Sequence, residues 1–379
     1  GTAPAGGWPL VVFHHGLGRG RADMMLVAGA LASGGMASAA IDAPKHGDRA
    51  WCRVDADCAA GATCSHAGFG NQGDVACPPG SPPGCTPPDF LPGLCTAPGL
   101  AYRPVATGLP ACPAADCWDG TGGIALSSGS FLVSANFFRW RDSVRQDVLD
   151  QSMLVRVSTT PEGQAVLGAA IDPTRVFYVG QSLGSLEGTL DLAANPRFSR
   201  AVLNVGGGTW VDIGTTSPAF QPVVGPLLAA LGITPGTAEY LQFLHVAKWV
   251  LDPADPVNFA RHLATDPLPN LLQGGLQASK AILGQAARCD SVVPNLANQE
   301  LYGLVGLAPL DPFATSSGAG LQWFMTDTTT ACPADGSTGA GGASHGFLLD
   351  FANPSLTAQA QASAVGFLLG ASPPTPVTP

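Results

Sequence analysis

The chain has 379 residues, 46% of them hydrophobic, enough for a buried core in one large α/β domain or two smaller ones. Only 12% are charged, and 17 basic against 27 acidic side chains leave a net charge of −10, which repels phosphate backbones and argues against nucleic-acid binding. No apolar run approaches the roughly 18 residues needed to cross a bilayer, so no transmembrane segment is expected.

The first element in chain order is Trp8-Pro9-Leu10-Val11-Val12-Phe13, an apolar run without alternation, as in strands buried on both faces of a parallel sheet. It ends in His14-His15-Gly16-Leu17-Gly18. A helix is expected over about 22–32 and a second strand over 37–41, which together make a βαβ unit. Periodicity returns with a helix over about 137–157, then a strand over 175–179 that runs into Gly180-Gln181-Ser182-Leu183-Gly184 and a helix over 183–194. Further strands are expected at 201–205, 281–284 and 321–326, with a last helix near 355–369. Strands alternating with helices in this way indicate a doubly wound, mostly parallel sheet, whose ligands collect at the carboxyl ends of its strands.

Two stretches break the rhythm. Residues 51–120 hold eight of the ten cysteines and many prolines and glycines, and read as a disulfide-stapled insertion. Zinc is disfavoured because no C-x2-C pair occurs, and Asp55 and Asp57 read as turn residues rather than a calcium site. Residues 209–268 are apolar, proline-punctuated and partly helical, and read as a cap. The core is thus expected over 1–50, 121–208 and 269–371, and 372–379 as a proline-rich tail. Gly1 opens without a signal peptide; with the cysteines, this implies an exported protein whose secretory segment was removed.

Gly180-Gln181-Ser182-Leu183-Gly184 matches G-x-S-x-G, a strand-to-helix turn that exposes a serine above the sheet. Chance supplies about 0.4 such matches in a chain this rich in glycine, and a second one occurs at Gly342-Ala343-Ser344-His345-Gly346. Context separates them: Ser182 follows Val176-Phe177-Tyr178-Val179, whereas Ser344 follows a glycine-rich stretch that cannot be a core strand. Ser182 is therefore the candidate nucleophile.

A serine hydroxyl needs a histidine to take its proton and an acid to orient that histidine. Three histidines follow Ser182. His245 and His262 fall on helical stretches of the cap, which leaves His345, in a loop after the last strand, as the base. Asp290, in the loop leaving the strand at 281–284, is the candidate acid, ahead of Asp311 in a proline-rich turn and Asp327 at the end of the last strand. Cys289 beside Asp290 and Cys332 in the His345 loop are expected to be disulfide-bonded to each other. Oxyanion donors are expected from the backbone N–H of Leu183 and of Leu17. Metal binding by His14 and His15 is set aside because neighbouring strand residues point to opposite faces. No cofactor and no metal are required.

His15-Gly16-Leu17-Gly18, Ile41-Asp42-Ala43-Pro44-Lys45-His46-Gly47-Asp48-Arg49, Arg141-Asp142-Ser143-Val144-Arg145-Gln146 and the turn at Ser182 together resemble the extracellular bacterial lipases and esterases of the α/β-hydrolase superfamily, in particular the virulence-factor or surface lysophospholipase-like branch. The resemblance implies an α/β-hydrolase fold, a Ser-Asp-His triad, a cap and cofactor-free hydrolysis of carboxylic esters. It also implies that the strand at Trp8 corresponds to the third strand of the full sheet; the cysteine-rich insertion is not part of the pattern. The apolar cap points to a hydrophobic ester substrate, short to medium acyl esters, lipids or aliphatic polyesters. An amidase or peptidase with the same triad, and a secreted binding or adhesion module with a vestigial site, are the competing readings.

Overall fold

The computed structural model describes residues 3–49, 51–52, 63–65, 93–96, 132, 137–312, 320–325, 344–351 and 353–371. The chain divides into two compact units, one of Gly1–Gly16, Met24–Ile41 and Ala135–Pro379, the other of Leu17–Asp23 and Asp42–Ser134.

In the first unit the apolar run at the start is strand β1 (Trp8–His14), followed by helix α1 (Met25–Ser33) and strand β2 (Ala37–Ala39). In the second unit, β3 (Trp51–Cys52), β4 (Thr63–Ser65) and β5 (Gly93–Thr96) form a small antiparallel sheet in the order β3-β5-β4. Its backbone register sets Cys64 opposite Cys95. The rest of the cysteine-rich stretch, with Asp55 and Asp57, lies outside the described residues, as does the tail 372–379.

The first unit continues with α2 (Phe137–Thr159), α3 (Pro161–Leu167), β6 (Ile171–Gln181), α4 (Leu183–Ala194) and β7 (Phe198–Asn204). The stretch 209–268, expected as a cap, supplies α5 (Trp210–Thr216), α6 (Gln221–Ala230), α7 (Ala238–Leu251) and α8 (Pro256–Ala260). Strand β8 (Ala281–Ala287), α9 (Asn295–Val305), β9 (Leu321–Phe324) and α10 (Pro354–Leu368) complete it.

Six strands form one sheet in the order β2-β1-β6-β7-β8-β9, every neighbouring pair parallel. Both faces are buried, which explains the unbroken apolar runs. On one face Val11, Phe13, Val179 and Val202 pack against Leu31 of α1 and Ala364 and Phe367 of α10. On the other, Leu10, Val12, Tyr178 and Leu203 meet Val155 of α2, Leu192 of α4 and Leu301 of α9. Alternation along β1 thus sends successive residues to different helical layers.

Candidate active site

Strand β6 becomes helix α4 at Ser182, whose backbone has φ 57° and ψ −115°, a conformation costly for a residue with a Cβ. The neighbouring backbone requires glycine: a Cβ on Gly180 would overlap the Gly184 carbonyl, and one on Gly184 would overlap the His14 carbonyl. The turn is clamped from below. Ser182 N–H donates to the Asn204 carbonyl at 2.8 Å, and Ser185 Oγ donates to the carbonyls of Gly180 (2.7 Å) and Asn204 (2.8 Å). These bonds hold the strained serine at the end of the sheet, the residue as a whole 8% exposed.

His345 Nε2 lies 2.7 Å from Ser182 Oγ, and its Nδ1 lies 2.7 Å from Asp290 Oδ2. Three residues separated by 163 and 55 positions therefore form one continuous chain of hydrogen bonds. In the neutral tautomer with the proton on Nδ1, His345 donates to Asp290 and accepts the serine hydroxyl proton.

Each partner is held by its own element. Asp290 follows β8; its Oδ1 accepts from the N–H groups of Val292 (2.8 Å) and Val293 (3.0 Å), leaving Oδ2 for the imidazole. Cys289, with φ 58°, donates its N–H to Asn295 Oδ1 at the start of α9 and is disulfide-bonded. Cys332, its expected partner, lies outside the described residues. His345 is anchored by the residues after it: Phe347 and Leu348 are fully buried, and the Phe347 ring stacks on Phe324 of β9 at 4.4 Å. Ser344 does not join the site as a nucleophile; its Oγ accepts from Gly346 N–H at 3.2 Å and shapes the turn that carries His345.

Leu183, expected as an oxyanion donor, is the first residue of α4, where backbone N–H groups have no partner within the helix. Leu17, the second expected donor, opens the second compact unit. Asp311 is exposed, and Asp327 lies outside the described residues. His245 is exposed on α7, and His262 Nδ1 lies 2.5 Å from the Asp266 carbonyl, so neither joins Ser182.

Sequence reasoning missed Gln181. Its Nε2 donates to the His345 carbonyl at 3.4 Å, and a Cβ on Gly16 would meet its side chain and come within 3.3 Å of Ser182 Cβ. Gln181 thus bonds the base loop while its side chain lies close against the backbone that follows β1. Its position inside G-x-S-x-G was the available signal. The segment after β7 is fastened beside the acid: Ala219 N–H (3.2 Å) and Ser217 Oγ (3.1 Å) both donate to the carbonyl of Ser291, next to Asp290.

No family model matches the chain, and no curated protein does. Among solved structures it is similar to a puromycin-hydrolyzing peptidase of Mycobacterium tuberculosis, with 14% identity and a TM-score of 0.43 over 100% of this chain and 36% of that one. A putative dienelactone hydrolase of Klebsiella pneumoniae subsp. pneumoniae gives 11% identity and 0.42 over 97% and 90%. An acetyl xylan esterase of Paenibacillus sp. R4 gives 15% and 0.41 over 80% and 67%. The chain spans about a third of the length of the first. With TM-scores this low, the assignment of fold rests on the chain's own topology. The six-stranded parallel sheet, the strained serine where β6 meets α4, and the order Ser182, Asp290, His345 along the chain give this protein the α/β-hydrolase fold.

Proposed function

We propose that this protein is an exported serine hydrolase that cleaves carboxylic esters of hydrophobic acyl groups through an acyl-serine intermediate. The observation that carries the reading is the pair of 2.7 Å contacts from His345, one to Ser182 Oγ and one to Asp290 Oδ2. Ser182 Oγ attacks the ester carbonyl carbon while His345 Nε2 takes its proton. The resulting oxyanion is met by Leu183 N–H. Collapse breaks the carbon–oxygen bond to the alcohol, which leaves with the proton from His345. Water then enters by the same route: His345 takes its proton, the hydroxide adds to the acyl carbon, and Ser182 Oγ departs carrying that proton. Asp290 holds the imidazole in the required tautomer and balances its transient charge.

The cap supports a hydrophobic substrate. Leu241, Val246 and Trp249 are exposed on α7, Trp249 by 74%, in a segment hydrogen-bonded to the acid loop. Export is supported by the crowded cysteines and by the disulfide at Cys289.

Hydrolysis of p-nitrophenyl esters from acetate to palmitate, by wild type and Ser182→Ala, tests the proposal. Turnover by the wild type and its loss in the variant are expected. A wild type inert on all esters yet labelled at Ser182 by a fluorophosphonate would move the substrate class to amides or peptides. No labelling at all would favour the binding module.

A further inference from the structure

Directly beneath the strained serine lies a polar group that the proposed reaction does not use. His14, the last residue of β1, points to the face shared by Leu10 and Val12 and is completely buried. Its Nε2 is 3.1 Å from Asp147 Oδ2 on α2 and 3.5 Å from Glu187 Oε2 on α4, and all three side chains are fully buried. One donor atom from each lies within 4.8 Å of the others. Neither ring nitrogen of His14, nor Asp147 Oδ2, makes a hydrogen bond, although Asp147 Oδ1 accepts from Gln151 Nε2 at 3.5 Å.

We propose that His14, Asp147 and Glu187 form a buried site for one divalent transition-metal ion that fastens β1, α2 and α4 together under the nucleophile turn. The two distances from His14 Nε2 are those of donors around a shared ion. Metal bonds of about 2.0–2.2 Å to imidazole nitrogen and carboxylate oxygen set neighbouring donors about 3.0–3.6 Å apart. They also set each donor off its neighbour's lone-pair axis. That accounts for His14 and Asp147 approaching to 3.1 Å without forming a hydrogen bond, which needs the oxygen near the N–H axis. One neutral imidazole with two carboxylates matches a dication in charge. The nitrogen favours zinc, manganese or ferrous iron over magnesium or calcium, which prefer all-oxygen sets.

The sequence disguises the site. His14 and His15 are expected to point to opposite faces, but β1 ends at His14 and the two rings stack with centroids 5.4 Å apart; His15 is not among the ligands, and the other two donors come from helices far along the chain. The ion would be structural. A Cβ on Gly184 would lie 2.7 Å from His14 Nδ1, so the site abuts the first turn of α4.

Metal content of the purified protein by mass spectrometry tests this, together with unfolding in denaturant and chelator, disulfides left intact, and refolding with or without zinc or manganese. Wild type is expected to retain about one equivalent of metal per chain through native dialysis against chelator, and to melt at lower temperature when refolded without metal. Asp147→Asn and Glu187→Gln are expected to bind none. Wild type that refolds in the presence of each metal and carries less than about a tenth of an equivalent would overturn the proposal. So would folded variants that carry as much metal as wild type. Should the variants fail to fold, the wild-type stoichiometry decides by itself.

Discussion

Asp290 and His345 share a 2.7 Å hydrogen bond although 55 residues separate them, and the other oxygen of Asp290 is occupied by two backbone N–H groups. The carboxylate is therefore fixed in orientation before the imidazole binds it. Asp290→Asn keeps the shape but replaces one acceptor with a donor. An amide nitrogen facing Nδ1 would hold His345 in the tautomer that cannot take the serine proton. On the proposed reaction, ester kcat should fall by about 10³–10⁴-fold with little change in melting temperature. Steady-state kinetics with thermal unfolding checks this, and activity within tenfold of wild type would remove Asp290 from the machinery.

Gly184 is required by close approach rather than by its own φ. A Cβ there would overlap the His14 carbonyl. Gly184→Ala should force β1 and α4 apart, costing at least about 2 kcal/mol of stability and shifting Ser182 Oγ away from His345. Denaturant unfolding and the rate of fluorophosphonate labelling read the two effects separately. An alanine variant that matches wild type in both would mean that the turn yields without moving the serine.

Much of this frame is legible in the sequence, because parallel strands buried on both faces leave continuous apolar runs and the serine turn leaves its glycines. Helix α4 begins and ends where the pattern puts it, at Leu183 and Ala194. Strand β6 begins earlier than expected, at Ile171, because Asp172-Pro173-Thr174 reads as a turn; the pairing with β1 is irregular there, between Trp8 and Leu10. Helix α9 goes unseen because its buried face mixes Ala297, Leu301 and Val305 with the polar Asn298, whose amide donates to the Gly206 carbonyl. Triad members could be ranked by the elements they follow, whereas Gln181 and the His14 cluster depend on contacts between elements that no local spacing encodes.

The cap carries a prediction about substrate length. Trp249 is exposed on the same helix as Leu241 and Val246, and on the proposed function this apolar surface serves long acyl groups. Trp249→Gln should lower kcat/KM for palmitate several-fold while leaving acetate unchanged. A uniform loss across the ester series would assign Trp249 to cap stability, and no loss for any ester would separate α7 from substrate binding.

Asp255 predicts a pH effect on folding. It sits at the start of α8, nearly fully buried, and accepts from Trp210 N–H at 3.0 Å and Val257 N–H at 3.2 Å. Burial nevertheless dominates and, with Asp252 and Asp212 nearby, pushes its carboxyl up to about 7 from 3.8. Below pH 4 both folded and unfolded chains hold the proton, so Asp255 is neutral in its effect. Between about pH 4 and 7 the unfolded chain releases the proton while the folded one keeps it, and unfolding gains about 1 kcal/mol per pH unit from this group. Above about 7 both forms are ionised and the loss levels off. Asp255→Asn surrenders one of the two backbone bonds at every pH, but it should remove this slope. The difference in melting temperature between variant and wild type, measured from pH 4 to 8, should therefore move in the variant's favour as pH rises and then plateau. A difference that stays constant over that range would mean that Asp255 is already ionised in the folded protein at pH 4, with its two backbone donors outweighing burial.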